Sequence, residues 1–143
     1  MNQPEFSATA RLEIPFNDCD PLNIVWHGNY IKYFELAREA FGQKYDFDVL
    51  HFYDQGFATP IVHASANYKR PLRYRDVALI KAVWRHTDAA KVIFDYEIKK
   101  EGSDELICHG NTIQVIVAAK TMELALTVPD FIKQWQARIG MTN

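Results

Sequence analysis

The sequence predicts an α+β fold: an antiparallel five-stranded sheet wrapped around one long central helix. Three observations carry that reading. One stretch, residues 28–43, repeats its apolar residues at helical spacing. Five other stretches read as strands, residues 6–16 and 91–100 by alternation of apolar and polar residues and residues 77–86 by being apolar on both faces. The last four of them follow one another without an intervening long helix and are joined partly by tight turns, so sequential neighbours should pair antiparallel.

Residues 1–5 read as a loose start. From Phe6 to Phe16 the apolar residues Phe6, Ala8, Ala10, Leu12, Ile14 and Phe16 alternate, with Arg11 and Glu13 on the other face, which predicts a half-buried strand. Asn17–Asp20 ends it. Pro21 after Asp20 has the form of a first-turn proline behind an N-cap and predicts a short turn through Val25. The long helix is expected over residues 28–43, with Tyr30, Phe34, Ala37 and Phe41 on its buried face and Gly42 at its end. About 15 residues at 1.5 Å each make a rod of roughly 22 Å, enough to lie across a small sheet. Residues 44–57 connect, with a helical turn expected at 46–50.

Residues 58–68 read as the second strand, with Val62, Ala64, Ala66 and Tyr68 sharing a face. Residues 69–76, KRPLRYRD, form a basic connection. Residues 77–86 are apolar on both faces apart from Lys81, which places that strand near the sheet centre. Residues 91–100 alternate cleanly, 101–104 make a hairpin turn, and 105–119 read as one long strand. Pro129 and Asp130 open a last helix with Phe131, Trp135 and Ile139 in register, and Gly140 stops it. There is no internal repeat or linker, so residues 1–143 are expected to form one domain.

Composition narrows the function. Apolar residues make up 48% and aromatics 13%, as in an ordered globular chain. A formal charge of −2 leaves no footprint for nucleic acid or a membrane surface. No run approaches the roughly 18 apolar residues of a membrane span. No signal peptide is legible at the N-terminus. Cys19 and Cys108 lack metal-ligand spacing and read as reduced thiols, so a cytoplasmic location without metal or redox cofactor is expected.

The chemistry concentrates in residues 16–35, FNDCDPLNIVWHGNYIKYFE. Asp20 precedes a turn and then a helix start. A carboxylate there faces free backbone N–H groups, a favourable place for chemistry on a carbonyl. Ile24, Val25 and Trp26 would partly desolvate it and strengthen it as base or nucleophile. The plainer role is a helix N-cap, and the two are compatible. Asp18 could share the site or end the strand, and Glu35 could pair with Lys32 or Arg38 along the helix.

The run DCDPLNIVWHGNYIKYFELA resembles the signature of the 4-hydroxybenzoyl-CoA thioesterase-like hotdog family, through Asp20, Ile24, Val25, Trp26, His27, Tyr30, Phe34 and Glu35. Residues 58–62, ATPIV, resemble the start of that family's second strand, and the strand–helix–four-strand order is that of the hotdog fold. The resemblance implies hydrolysis of acyl-CoA thioesters. Asp20 would attack the thioester carbonyl or activate water, and the His27 N–H at the helix start would bind the oxyanion. Asn23 stands where the family has glycine; asparagine is the next most tolerant of a positive φ.

On the same reading Asn23, Val25, Trp26, Tyr30 and His63 line the substrate. His63 shares a strand face with Ser65 and Asn67 and would reach the acyl group across a dimer interface. The His27 imidazole could relay a proton near neutral pH. Lys69, Arg70 and Arg73 would bind the phosphates of CoA. The resemblance also implies a homodimer or homotetramer with sites near subunit interfaces. Acyl carrier protein thioesters are the first alternative substrate, and a non-catalytic acyl-CoA-binding protein is the second. Hotdog hydratases place a histidine about five residues after the aspartate, whereas here His27 follows Asp20 by seven, which disfavours hydration.

Overall fold

The computed structural model describes residues 4–141. Its order is β1 (Ser7–Glu13), α1 (Asn29–Tyr45), α2 (Val49–Asp54), β2 (Phe57–Ala58), β3 (Ile61–Tyr68), β4 (Val77–Arg85), β5 (Lys91–Lys100), β6 (Leu106–Val115), β7 (Val117–Ala118) and α3 (Asp130–Arg138). The main sheet is five-stranded and antiparallel, in the order β1-β4-β5-β6-β3, and β2 pairs with β7 in a two-stranded annex. The α1 helix packs against β1, β3, β4 and β5.

Aromatic stacking makes the core. Phe34 lies flat on Tyr96 with centroids 4.5 Å apart, and Phe41 meets Phe94 edge-on at 4.9 Å. Trp135 of α3 stacks on Phe47 at 3.8 Å, and its Nε1–H donates to the Tyr45 carbonyl at 2.8 Å. Such pairs contribute about 0.5–1.5 kcal/mol each beyond the area they bury.

Several boundaries differ from expectation for local reasons. The first strand stops at Glu13 because Pro15 cannot donate to the ladder. A 3-10 turn, Phe16–Asp18, follows and throws Phe16 outward, 74% exposed, against Tyr74. Residues 21–25 form no helical turn; they close a tight loop. Gly42 does not end α1 but lies buried inside it. A Cβ there would sit 2.9 Å from the Phe47 carbonyl, so the chain can fold back over the helix only where no side chain stands. The helix ends instead at Asp46, in the left-handed region with φ 56°.

The helical turn expected at 46–50 lies further along the chain, as α2 at Val49–Asp54, because Asp48 is its cap: the Asp48 carboxylate accepts from the N–H groups of Leu50 and His51. The expected long strands at 58–68 and 105–119 each break, at Thr59–Pro60 and at Ile116, because their outer ends pair with each other as β2 and β7. β4 is second in the sheet and β5 is the centre. β3 is an edge: Val62 and Ala64 are exposed, Val62 by 59%, and a bulge between Ile61 and His63 sets Ile61, rather than the expected Val62, opposite buried Gln114.

Candidate active site

The loop between β1 and α1 is stitched to the connection between β3 and β4. The Ile14 N–H donates to the Asp76 carbonyl (2.8 Å), the Arg75 N–H to that of Ile14 (3.0 Å) and the Val25 N–H to that of Leu72 (2.8 Å). Within the loop, Cys19 and Val25 bridge antiparallel, and the Asp20 N–H donates to the Ile24 carbonyl at 2.9 Å. Asn23 turns the chain at φ 62°, the conformation for which asparagine is the tolerated substitute for glycine. Asp20 does not cap a helix. Its Oδ1 accepts from the Leu22 N–H at 2.8 Å, an Asx turn, and its Oδ2 accepts no hydrogen bond among the described residues.

The other arm of the loop runs into α1. Gly28 is the N-cap residue, and no side chain caps the helix. The N–H groups of His27 and Gly28 make no hydrogen bond among the described residues. The first turn of α1 carries no acid, so nothing there competes for its positive end. A Cβ on Gly28 would meet the Trp26 ring at 2.2 Å, so the glycine makes room for the Trp26 side chain to lie over the start of the helix. The Tyr68 hydroxyl donates to the His27 carbonyl at 3.0 Å, and its ring meets His27 and Tyr30 edge-on.

The arrangement therefore offers a half-exposed carboxylate with one uncommitted oxygen and two uncommitted N–H groups at a helix N-terminus. That combination can take a carbonyl carbon and the charge that develops on its oxygen. Neither cysteine competes as nucleophile. Burial, followed by the charges of Asp18 and Asp20, holds the Cys19 thiol above its usual range, and burial pushes Cys108 up to about 11. No group of three or more histidines, cysteines or acids is placed to hold a metal ion among the described residues.

The other residues expected at the site fall into three groups. Trp26 is 51% exposed and its N–H donates to the Asp18 carbonyl, so it and His27 lie on the arm of the loop that faces the arm of Asp18 and Asp20. Val25 and Tyr30 are each only 3% exposed; they belong to the core, and the Tyr30 hydroxyl accepts from the Leu72 N–H, so packing replaces the substrate contact expected of them. Their apolar side chains support the loop from below, a role that the alternation of the motif does not distinguish from lining. His63 lies on exposed β3, five residues before Tyr68 and so roughly 17 Å along the strand. It is not brought to Asp20 within one subunit.

In the basic connection Arg70 is tied to Glu105 at 2.9 Å, while Lys69 and Arg73 are exposed with no carboxylate partner among the described residues. Glu35 pairs with Arg38 at 3.7 Å.

Three features were not anticipated. Asp18 is a structural hub: its carboxylate accepts from the Tyr33 hydroxyl at 2.6 Å, and its carbonyl from the Trp26 N–H and Asn29 Nδ2 at 3.0 and 2.9 Å. The spacing of Asn29 and Tyr33, four apart on the helix, is the signal that could have shown it. The second is a cavity of about 620 Å³ at the other end of the helix, between α1, α2 and the sheet. Its walls include Glu35, Phe47, Phe52, Thr59, Phe94 and Gln114. The third lies on that wall: Gln114 is buried, its Nε2 donates to Thr59, and its Oε1 accepts nothing among the described residues.

A long helix wrapped by an antiparallel five-stranded sheet, with a carboxylate loop at the helix N-terminus, is the hotdog fold. The model of the thioesterase-like superfamily matches residues 14–136, and the chain belongs to that family. It is a thioester hydrolase by that membership. An Aquifex aeolicus protein provisionally named an esterase is 31% identical over 75% of this chain and 82% of its own length. A Bacillus subtilis protein, YneP, provisionally named an acyl-CoA thioesterase, is 26% identical over 61% of this chain; that match spans 63% of the relative. Among solved structures, a 1,4-dihydroxy-2-naphthoyl-CoA thioesterase from Synechocystis superposes with a TM-score of 0.82 at 21% identity, covering 94% of this chain and 98% of that one. No helix among the described residues is long and apolar enough to cross a membrane.

Proposed function

We propose that this thioesterase hydrolyses acyl-CoA thioesters, with Asp20 as nucleophile or general base and the N–H groups of His27 and Gly28 as the oxyanion hole. One observation carries the assignment: the free Asp20 oxygen and the two free N–H groups stand on the two arms of one hydrogen-bonded loop at the N-terminus of α1. As nucleophile, Asp20 forms a mixed anhydride, the CoA thiolate leaves and takes a proton, and water cleaves the anhydride. As base, it takes a proton from the attacking water. Single turnover in ¹⁸O water separates the two when water attacks the Asp20 carbonyl carbon of the anhydride: the label then enters Asp20 and the product carries an Asp20 oxygen, whereas the base route labels the product alone.

Release of free thiol from a panel of acyl-CoA esters tests the function. Aliphatic chains of increasing length and aryl esters are each paired with a hydroxylated counterpart, because the Gln114 amide oxygen is an unspent acceptor. Turnover of at least one CoA ester is expected. If no ester is cleaved, the CoA reading fails and carrier-protein thioesters take its place.

The basic connection fits the phosphates of CoA, because Leu72 anchors it to the catalytic loop and the side chains of Lys69 and Arg73 have no carboxylate partner among the described residues. Arg73→Gln should raise KM for the best CoA ester about 10–100-fold with kcat unchanged, the size of one charge-assisted hydrogen bond. The matching N-acetylcysteamine thioester lacks every phosphate and should show no change; an equal loss on both would remove the assignment.

The acyl group needs more than one subunit. Asp20 and Tyr68 lie at one end of β3, whereas Ile61, Thr59 and the cavity lie at the other, and β3 pairs on only one side. The ends of β3 are roughly 23 Å apart. Antiparallel pairing of β3 with β3 of a second copy sets the Tyr68 end of one against the Ile61 end of the other. The cavity of one subunit then completes the site of its partner and covers the exposed edge. His63 would take its expected place at that interface.

Complementation checks this arrangement. Asp20→Asn and the cavity-filling Thr59→Trp should each be inactive as homodimers. A purified heterodimer of the two should recover about half the wild-type activity, since one site in it is intact. An inactive heterodimer would place each site within a single subunit.

A further inference from the structure

Asp18 ties both arms of the catalytic loop to the helix through side chain and backbone together. It precedes Asp20 by two residues, so it belongs to the arm that carries the carboxylate. Its carbonyl accepts the N–H of Trp26, the residue before His27, and thereby holds the arm that carries the oxyanion hole. The same carbonyl accepts from Asn29 Nδ2 and the carboxylate from the Tyr33 hydroxyl, both on α1. The contact to Tyr33, at 2.6 Å, is in the range of a hydrogen bond to a charged oxygen. The Tyr33 ring is 1% exposed and cannot follow a moving loop. Burial, followed by the Asp18 contact, raises the Tyr33 hydroxyl far above its ordinary range, so it stays a donor at every working pH.

Beyond Asp18 the two arms are also tied to each other by the Cys19–Val25 bridge and the Asp20 N–H to Ile24 carbonyl bond, and Val25 is tied to Leu72, but none of these contacts reaches α1. Pro21, Leu22 and Asn23 are exposed, with Leu22 at 77%. Inside the tip, the carboxylate of Asp20 is held only by the Leu22 N–H of its own turn. The distance between that carboxylate and the His27 N–H therefore depends on the anchor at the base of the loop.

We propose that Tyr33, acting through Asp18, is a positioning residue for the thioesterase reaction: the Tyr33–Asp18–Trp26 contacts set the register between the Asp20 carboxylate and the oxyanion hole. This rests on the assignment of Asp20 and His27 above. Register of this kind acts on the chemical step more than on binding, and a displacement of about 1 Å can cost about 100-fold.

Tyr33→Phe removes one buried oxygen and keeps the ring packing. The expected result is a 30–100-fold loss in kcat, with KM within about twofold and the melting curve of a folded protein. Asp18→Asn keeps an acceptor for the hydroxyl and should lose less than about fivefold, whereas Asp18→Ala should match Tyr33→Phe. The double variant Tyr33→Phe/Asp18→Ala should be no worse than either single one, because one contact is removed in all three.

Wild-type kcat in Tyr33→Phe overturns the proposal. Equal losses in Asp18→Asn and Asp18→Ala overturn it too, since charge rather than the contact would then matter. A loss confined to KM, or additive losses in the double variant, does the same. If Asp20→Asn keeps full activity, it is the assignment of the catalytic aspartate that fails, which the Tyr33 series by itself cannot produce.

Discussion

Asp20→Asn is expected to lower kcat on the best acyl-CoA ester by about a thousandfold, which is about 4 kcal/mol of barrier, while leaving the melting temperature unchanged. The substitution isolates the charge. Asparagine keeps the oxygen that accepts from the Leu22 N–H, so the Asx turn and the positive φ at Asn23 both survive. What it lacks is a carboxylate oxygen able to attack a carbonyl or take a proton from water. The remaining rate comes from the His27 and Gly28 N–H groups, since oxyanion stabilisation does not depend on the side chain. Turnover within tenfold of wild type in the folded variant would remove Asp20 from the chemistry.

Gly110→Ala is expected to cost the protein about 3 kcal/mol or more, lowering the melting temperature by roughly 10 °C. Gly110 sits on β6 opposite Ala66 of β3, on the helix side of the sheet. A Cβ there would stand 2.0 Å from the Ser65 carbonyl oxygen and 2.8 Å from the Phe34 ring. The oxygen belongs to the backbone and cannot move without opening the β3–β6 pairing. Phe34 cannot move either, because it is fully buried and stacked on Tyr96.

Gly102→Ala is the control. That glycine has φ 83° and open space around it, so the substitution costs only the left-handed backbone, about 1 kcal/mol. Melting curves of the two variants side by side separate lack of space from backbone strain. Equal losses would mean that the sheet yields at Gly110. Because β3 is the edge proposed to pair with a second copy, Gly110→Ala should lower activity together with stability.

Much of this was legible because it is periodic. The helical spacing of Tyr30, Phe34, Ala37 and Phe41 identified α1 and its buried face, and the alternation at 91–100 identified β5 to the residue. The site motif was legible for a different reason: an acid, a tight turn and a helix start within ten residues are local chemistry, and chain connectivity alone keeps them near one another. Where expectation failed, a distant segment had decided. Gly42 carries the usual sign of a helix end, yet the fold-back of Phe47 over it uses the missing side chain for packing. The two long strands broke because their ends pair across 60 residues of chain, Phe57 with Ala118.

Val25 and Tyr30 show the same division inside the motif. Residue type identified them as important, but only burial shows that they support the loop rather than line it. Asp18 shows it most plainly. Two acids two residues apart are equivalent as letters, and either could have been the exposed one. The Tyr33 hydroxyl, fifteen positions away, takes Asp18 as a half-buried anchor and leaves Asp20 with an oxygen that accepts no hydrogen bond among the described residues.

By itself, then, the sequence determined the fold class, the family and the twenty-residue motif that holds the proposed site, because all three are written in short-range pattern. The tertiary structure decided which acid is tied to Tyr33, which apolar residues are core, and that a cavity of about 620 Å³ lies at the far end of β3 from Tyr68. Those depend on hydrogen bonds and packing between segments far apart in the chain, whose partners no local pattern names.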